Sequence, residues 1–274
     1  SFLIGLGTVV LLLALMVVGP ALGLAPNVEI REQQYAEPLD DATSAQINLD
    51  LSVGRTTLQP LTDSNELITA DLRYVGDVDF RVDGTTQKYV SLSTHNEGIQ
   101  VFDFLGFSLF NGADSEELRW NIGLTPNIPL DLHLNGGVGD STLDLSGLQL
   151  SRLDYNNGVG NTTISLPGEG VYDVRLNGGV GNTQVNLADG AAVTFNVNGG
   201  VGNITLDLPD NAPVRLVAQG GLGNVDLPAN FNRISGDDRN VDRSGEWETA
   251  NYASADGARI QIDFNGGVGQ LSVR

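Results

Sequence analysis

The chain has 274 residues, with 34 acidic side chains, 14 basic side chains and no cysteine. Its formal net charge of −20 repels the phosphates of nucleic acids, which excludes a nucleic-acid partner. The absence of cysteine excludes disulfides, thiolate nucleophiles and cysteine-based zinc sites. The length is sufficient for one elongated domain or two domains of average size with a buried core.

The N-terminal segment, residues 1–24, is uncharged and apolar, and residues 2–18 read FLIGLGTVVLLLALMVV. A helix of this length spans about 30 Å, the thickness of the hydrocarbon core of a bilayer. A secretory signal would begin with basic residues, which this segment lacks, so we expect the helix to be retained. We predict a single N-terminal hydrophobic α-helix that contacts the lipid bilayer or bundles with other copies of the chain. The anchoring or assembly residues are Phe2, Leu3, Ile4, Val9, Val10, Leu11, Leu12, Leu13, Leu15, Met16 and Val17.

Three further regions follow the apolar segment. Residues 25–46 are acidic, contain proline and show no periodicity, which indicates a linker. Residues 47–128 contain degenerate β-repeats and an aromatic-rich stretch that we interpret as a cap or junction. Residues 129–274 contain regular β-repeats, with an insertion at about 228–258.

An internal repeat is the strongest signal in the sequence. NGGVGD begins at Asn135 and is followed by NNGVGN, NGGVGN, NGGVGN and QGGLGN, each 21 residues after the last. A further copy, NGGVGQ, begins at Asn265. A fixed period of this length indicates a supersecondary unit that buries its apolar side by stacking on its neighbours. The predicted fold is therefore all-β, a β-solenoid of about 21-residue coils.

Each copy of the repeat predicts two strands that line one core. Apolar residues alternate before the motif, as in Leu153 and Tyr155, and again after it, as in Ile164 and Leu166. The valine inside the motif, such as Val159, is expected to lie in the same core. The glycines on either side of this valine are expected to form a sharp arc that a Cβ atom would obstruct.

Two columns of polar side chains are expected to hold the coils in register. In a β-stack with about 4.8 Å between coils, equivalent amides form hydrogen-bonded ladders. The predicted ladder residues are Asn135, Asn156, Asn177, Asn198 and Gln219 in one column and Asp140, Asn161, Asn182, Asn203 and Asn224 in the other.

The sequence from Trp120 to Pro167, WNIGLTPNIPLDLHLNGGVGDSTLDLSGLQLSRLDYNNGVGNTTISLP, resembles the bacterial toast-rack domains. Together with the terminal ARIQIDFNGGVGQLSVR it is also similar, more loosely, to the C-terminal domain of LiaF-like envelope-stress proteins and to adhesin-type proteins. The resemblance covers residues 115–274 well and residues 47–114 weakly. It implies a membrane-anchored, β-solenoid-like protein of the cell envelope and carries no catalytic residues.

The sequence favours a protein without enzymatic activity or a cofactor. It contains no nucleophile elbow, P-loop or zinc-protease motif. The GGxG motifs differ from calcium-binding nonapeptides because their period is 21 residues and the polar residue after the last glycine is usually asparagine. A surface calcium site in the acidic stretch at 235–242 is the less favoured alternative to a solvated loop.

We interpret the chain as a cell-surface structural protein on the outer face of a membrane or outside the cell. The N-terminal helix would anchor it or polymerise it into an extracellular filament, and the outer surface could be adhesive. The alternative is an envelope-stress signalling or ligand-binding module that acts through a membrane protein. The expected partners are accordingly other copies of the chain, a membrane protein and the lipid bilayer.

Overall fold

The structure, a computed structural model, describes residues 30–95, 118–235 and 244–274. The predicted helix at residues 1–24 and its anchoring residues lie outside these ranges. The described residues are all-β, which confirms the predicted fold class. The strands are β1 (Ile30–Pro38), β2 (Ser44–Asp50), β3 (Arg55–Pro60), β4 (Glu66–Val75), β5 (Asp77–Asp83), β6 (Gln87–His95), β7 (Arg119–Leu124), β8 (Pro129–Asn135), β9 (Ser141–Asp144), β10 (Gln149–Asn156), β11 (Thr162–Leu166), β12 (Val171–Asn177), β13 (Thr183–Leu187), β14 (Ala192–Asn198), β15 (Ile204–Asp207), β16 (Val214–Gln219), β17 (Leu222–Asp226), β18 (Phe231–Ser235), β19 (Gly245–Thr249), β20 (Ile260–Asn265) and β21 (Val268–Val273).

The strands form two sheets that face each other across one core. Sheet A has ten strands in the order β1-β4-β7-β3-β9-β11-β13-β15-β21-β17. Sheet B has eleven strands in the order β18-β19-β16-β20-β14-β12-β10-β8-β2-β6-β5. Each coil contributes one strand to sheet B and the next strand to sheet A. The central strands are parallel, whereas antiparallel strands extend sheet B at both ends and sheet A at the end that carries β1 and β4.

The register of the central strands follows the repeat in the sequence. Leu153 of β10 pairs with Val174 of β12, and Ile164 of β11 pairs with Val185 of β13. All four side chains are fully buried in the same cluster, because alternate residues of each strand point inward. The two-strand repeat thus places equivalent apolar residues directly above one another.

Glycine is required in the arc between the two strands of a coil. A Cβ atom on Gly158 would lie 1.8 Å from the backbone oxygen of Gly137 in the neighbouring coil. That oxygen accepts a hydrogen bond from the amide of Val159 at 2.9 Å, so the backbones cannot separate without loss of pairing. Close approach of the coils therefore excludes any side chain at this position.

Part of the predicted linker at residues 25–46 is instead sheet structure. β1 pairs antiparallel with β4 at the edge of sheet A, and β2 begins at Ser44. Only one face of β1 contacts the core, where Tyr35 packs, and most of its side chains are exposed. The composition of such an edge strand resembles that of a solvated linker, because little apolar surface is needed to fix it.

The coils do not stack in chain order at either end. β2 and β3 lie between the coil of β6 and β7 and the coil of β8 and β9. At the other end, β20 and β21 lie between the coil of β14 and β15 and the coil of β16 and β17. The sequential order implied by the regular spacing is therefore wrong for the last two copies of the motif. The predicted insertion at 228–258 contains β18 and β19, which extend sheet B beside β16.

Candidate functional site

The first amide column runs along the point where the strands of sheet B end. The Nδ2 atom of Asn156 donates to Oδ1 of Asn135 at 2.6 Å, and Asn177 donates to Asn156 in the same way at 2.6 Å. Asn198 continues the column by donating to Asn177 at 2.7 Å. The column begins with a hydrogen bond from Asn135 to Asp50. Each amide in its middle is thus both donor and acceptor.

The end of the first column differs from the expected order. Asn265 donates to Oδ1 of Asn198 at 3.2 Å, and Gln219 pairs in register with Asn265 rather than with Asn198. The last coil of the described chain occupies the position that the sequence suggested for Gln219. Asn265 was missed as a ladder residue, although its NGGVGQ motif is a signal that could have identified it.

The second column combines side-chain and backbone hydrogen bonds. Oδ1 of Asp140 accepts from the backbone amide of Asn161 at 2.9 Å, and Oδ1 of Asn161 accepts from both the backbone amide and Nδ2 of Asn182 at 3.3 Å. The backbone amide of Asn203 donates to Asn182 at 3.3 Å. Asn224, on the outermost coil, pairs in register with Gln270 of β21. This column therefore joins coils through their backbones as well as through their side chains.

A row of valines lies between the two columns and faces solvent. Val159, Val180 and Val201 join in a parallel series of isolated backbone bridges, and their exposed fractions are 49%, 37% and 40%. Their expected place in the core is wrong, because the arc of each coil turns this residue outward. The strip from one amide column to the other consequently carries valine side chains above a glycine backbone.

Lys88 is the only lysine in the sequence and is nearly fully buried. Its Nζ atom donates to Glu37 at 2.7 Å, to the carbonyl oxygen of Pro38 at 2.6 Å and to Asp40 at 2.9 Å. Burial lowers the pKa of Lys88, but the hydrogen bonds to the two carboxylates outweigh it, so the pKa is raised above its usual value. Lys88 thus ties sheet B to the end of β1. That Lys88 is the only lysine in the sequence is a signal that could have identified it as a structurally important residue.

The described part of the chain provides little for metal chemistry or membrane insertion. Within residues 30–95, 118–235 and 244–274, no group of three or more histidine and acidic side chains is placed to hold a metal ion. Of the acidic stretch considered for calcium, only Ser235 is among the described residues. No helix in these same ranges is both long and apolar enough to cross a membrane.

Comparison with solved structures shows what the fold is similar to. A protein of Clostridium sporogenes, provisionally named a cell adhesion protein, is 18% identical with a TM-score of 0.56, covering 89% of this chain and 99% of that one. A protein of Bacteroides fragilis, provisionally named an adhesin, is 12% identical with a TM-score of 0.36, covering 91% of this chain and 99% of that one. The first similarity shows a common fold. Among curated proteins, none matches this sequence.

The sequence itself identifies the family. Residues 26–186 match the family described as the N-terminal domain of toast_rack, DUF2154. The match includes the region before residue 115, where the resemblance noted from the motifs is weak, and it confirms the resemblance to toast-rack domains. It covers more than half of the 274 residues. The chain therefore belongs to the family of the toast_rack N-terminal domain.

Proposed function

We propose that the chain is a non-enzymatic structural protein of the cell surface, with an adhesive outer face. Residues 1–24 would hold it in the membrane or join copies into an extracellular filament. The observation that carries the proposal is the stack of parallel coils, which is cross-linked by amide columns. Such a stack suits a rigid projecting body, because each coil is fixed by both neighbours.

Two further observations support a role outside the cytoplasm. The family match agrees with the envelope role implied by the toast-rack resemblance, and the structural relative from C. sporogenes is provisionally named a cell adhesion protein. The sequence also contains no cysteine, so the fold requires no control of thiol oxidation in an oxidising environment. Adhesion by this chain is part of the proposal.

The test is to locate the full-length chain in its native cells and to compare it with a variant lacking residues 1–24. Antibody labelling of intact cells should detect the full-length chain, and electron microscopy of material sheared from cells without detergent distinguishes filaments from membrane-held particles. Either form supports the proposal if the deletion variant loses attachment. Labelling that requires permeabilised cells would overturn it. A stable complex with a signalling membrane protein, formed without filaments or adhesion, would favour the alternative role.

A further inference from the structure

Three rows of outward side chains cross sheet A near its N-terminal end. The strands β1, β4, β7 and β3 are neighbours there, and their registers align equivalent outward positions. The arginine row contains Glu32, Arg73, Arg119 and Arg55; the polar row contains Gln34, Asp71, Asn121 and Thr57; the small row contains Ala36, Thr69, Gly123 and Gln59. Each row spans about 14 Å, because neighbouring strands are about 4.8 Å apart.

The polar and small rows line a groove of about 490 Å³. Gly123 leaves part of the floor of the groove without a side chain, and Leu61 forms an apolar wall beside it. A Cβ atom on Gly123 would lie 2.4 Å from Cδ2 of Leu61 and 2.8 Å from Oγ1 of Thr69. The groove therefore offers one apolar wall together with a floor of hydroxyl, amide and carboxylate groups.

The polar side chains of the groove are available to a ligand. Within the described part of the chain, the side chains of Gln34, Thr57, Gln59 and Asn121 make no hydrogen bond, in contrast to the amides of the first column. Asp71 accepts one long hydrogen bond from Nη2 of Arg119 at 3.4 Å. Hydroxyl and amide groups beside an apolar wall match a sugar ring, which has polar edges and apolar C–H faces.

The arginine row gives the groove a preference for negatively charged ligands. Arg73, Arg119 and Arg55 lie directly opposite one another on adjacent strands, an arrangement that is destabilising for like charges. Within the chain, Glu32 lies 3.7 Å from Arg73 and Asp71 lies 3.4 Å from Arg119. Three of only 14 basic residues are thus concentrated at the rim of one groove in a chain of net charge −20.

We infer that this groove binds an anionic oligosaccharide, a polyhydroxylated chain that carries carboxylate or phosphate groups. The arginine row binds the anionic groups, because guanidinium forks match carboxylate and phosphate oxygens. The polar row hydrogen-bonds the hydroxyls, and Leu61 packs against a ring face. The inference rests on the proposed surface role, since such polymers would meet the protein outside the cytoplasm, and it gives the adhesive face a location and a ligand class.

The experiment measures binding to the full-length chain by calorimetry, in a detergent without a sugar head group. The probes are trigalacturonic acid for carboxylate, a glycerol phosphate trimer for phosphate, and neutral maltotriose. At least one anionic probe should bind at least about tenfold more tightly than maltotriose, and binding should weaken as salt is added. Which of the two anionic probes binds identifies the source of the charge.

Three variants locate the site. Arg55→Gln and Asn121→Ala should each weaken anionic binding by about tenfold, the effect of one charge-assisted or neutral hydrogen bond in a binding site. Arg175→Gln is the matched control, because it removes the same charge from an exposed arginine on sheet B. The melting temperatures of all three variants are measured alongside binding, so that a loss of affinity is separated from a loss of stability.

Several outcomes would overturn the inference. These are the failure of both anionic probes to bind, equal binding of maltotriose, or equal weakening by Arg55→Gln and Arg175→Gln. Two variants at different rows keep the test decisive if one of them fails to fold. Surface labelling separates the two proposals: a chain that is displayed on cells but binds neither probe retains the surface role and loses the groove, whereas a chain that is not displayed loses the surface role.

Discussion

The middle of the stack and its two ends are built differently. Between β8 and β15, equivalent strands of successive repeats pair with one another, so their order in space follows their order in the chain. At each end, the outermost parallel coil comes from an inner part of the described chain. The coil of β6 and β7 covers β2 and β3, and the coil of β16 and β17 covers β20 and β21.

The difference shows how a repeat protein protects its ends. Terminal repeats with a single neighbour open first, because half of their stacking contacts are missing. Here the first and last parallel coils of the described chain each have two neighbours. The outermost coil is in turn joined to antiparallel strands, β4 beside β7 and β19 beside β16. The similar coils in the middle thus lengthen the stack, and the altered chain order gives the first and last coils of the described chain a second neighbour.

The largest expected difference is between two deletions, one in the middle of the stack and one at its C-terminal end. Removal of residues 157–177, one 21-residue repeat, joins Asn156 to Gly178 and should leave a cooperatively folding stack that is one coil shorter. Removal of residues 260–274 should abolish cooperative folding, because it removes the two strands that join the coil of β14 and β15 to the coil of β16 and β17. Denaturant unfolding followed by circular dichroism measures both. Equal tolerance of the two deletions would contradict the different roles assigned to middle and end.

A substitution in the arc of a central coil should have the next largest effect. Gly158→Ala places a Cβ atom 1.8 Å from a backbone oxygen of the neighbouring coil, and we expect it to lower the free energy of unfolding by about 3 kcal/mol. Gly257→Ala is the control, since a Cβ atom there meets nothing within 4 Å. Equilibrium unfolding in urea compares them, and similar stabilities would disprove close contact between the arcs.

A substitution of Lys88 tests how the N-terminal end of the stack is stabilised. Lys88→Met should lower the free energy of unfolding by about 2 kcal/mol, because Glu37 is left partly buried without its charged partner. The raised pKa of Lys88 means that its contribution is complete at neutral pH and is lost only as the pH rises through the folded-state value. Urea unfolding at neutral and strongly alkaline pH should therefore show a smaller difference between variant and parent at alkaline pH. A constant difference would refute the assigned role of the charge.

The smallest expected effect concerns the amide column. Asn177→Ala removes two exposed hydrogen bonds, to Asn156 and from Asn198, and should cost about 1 kcal/mol. Asn265→Ala removes one longer bond at 3.2 Å and should cost less. Thermal unfolding of the two variants ranks them. The reverse ranking would indicate that the column contributes to stability mainly at its end.

The sequence predicts the middle of the molecule well because its repeat fixes three properties together. The 21-residue spacing sets the register, the alternation around Leu153 and Ile164 sets the inward face, and the recurrent glycines mark the arcs. The solvent-facing position of Val159 could not be read from the same pattern, because its hydrophobicity matches that of core residues and only the direction of the arc turns it outward.

The order in which the coils stack at the ends could not be predicted, because the repeat does not specify it. Every coil presents an equivalent apolar edge, so the copy at Asn265 fits beside Asn198 as well as the copy at Gln219 does by pattern alone. The connection through β18 and β19 is long enough to permit either order. The arginine row and its groove were missed for a related reason, since Arg55, Arg73 and Arg119 are far apart in the sequence and become neighbours only through the pairing of β7 with β3 and β4.

The exchange of coil order is tested most directly by engineered disulfides, because the chain contains no cysteine. Cα atoms of paired neighbouring strands are about 4.8 Å apart and those of second neighbours about 9.6 Å, whereas a disulfide requires less than about 7 Å. The double variant Asn198→Cys with Asn265→Cys should form an intramolecular disulfide under mild oxidation, as detected by mass spectrometry of peptides. The pair Asn198→Cys with Gln219→Cys should remain reduced. A disulfide in the second pair and none in the first would show that the coils stack in chain order and would contradict the structure proposed for the ends.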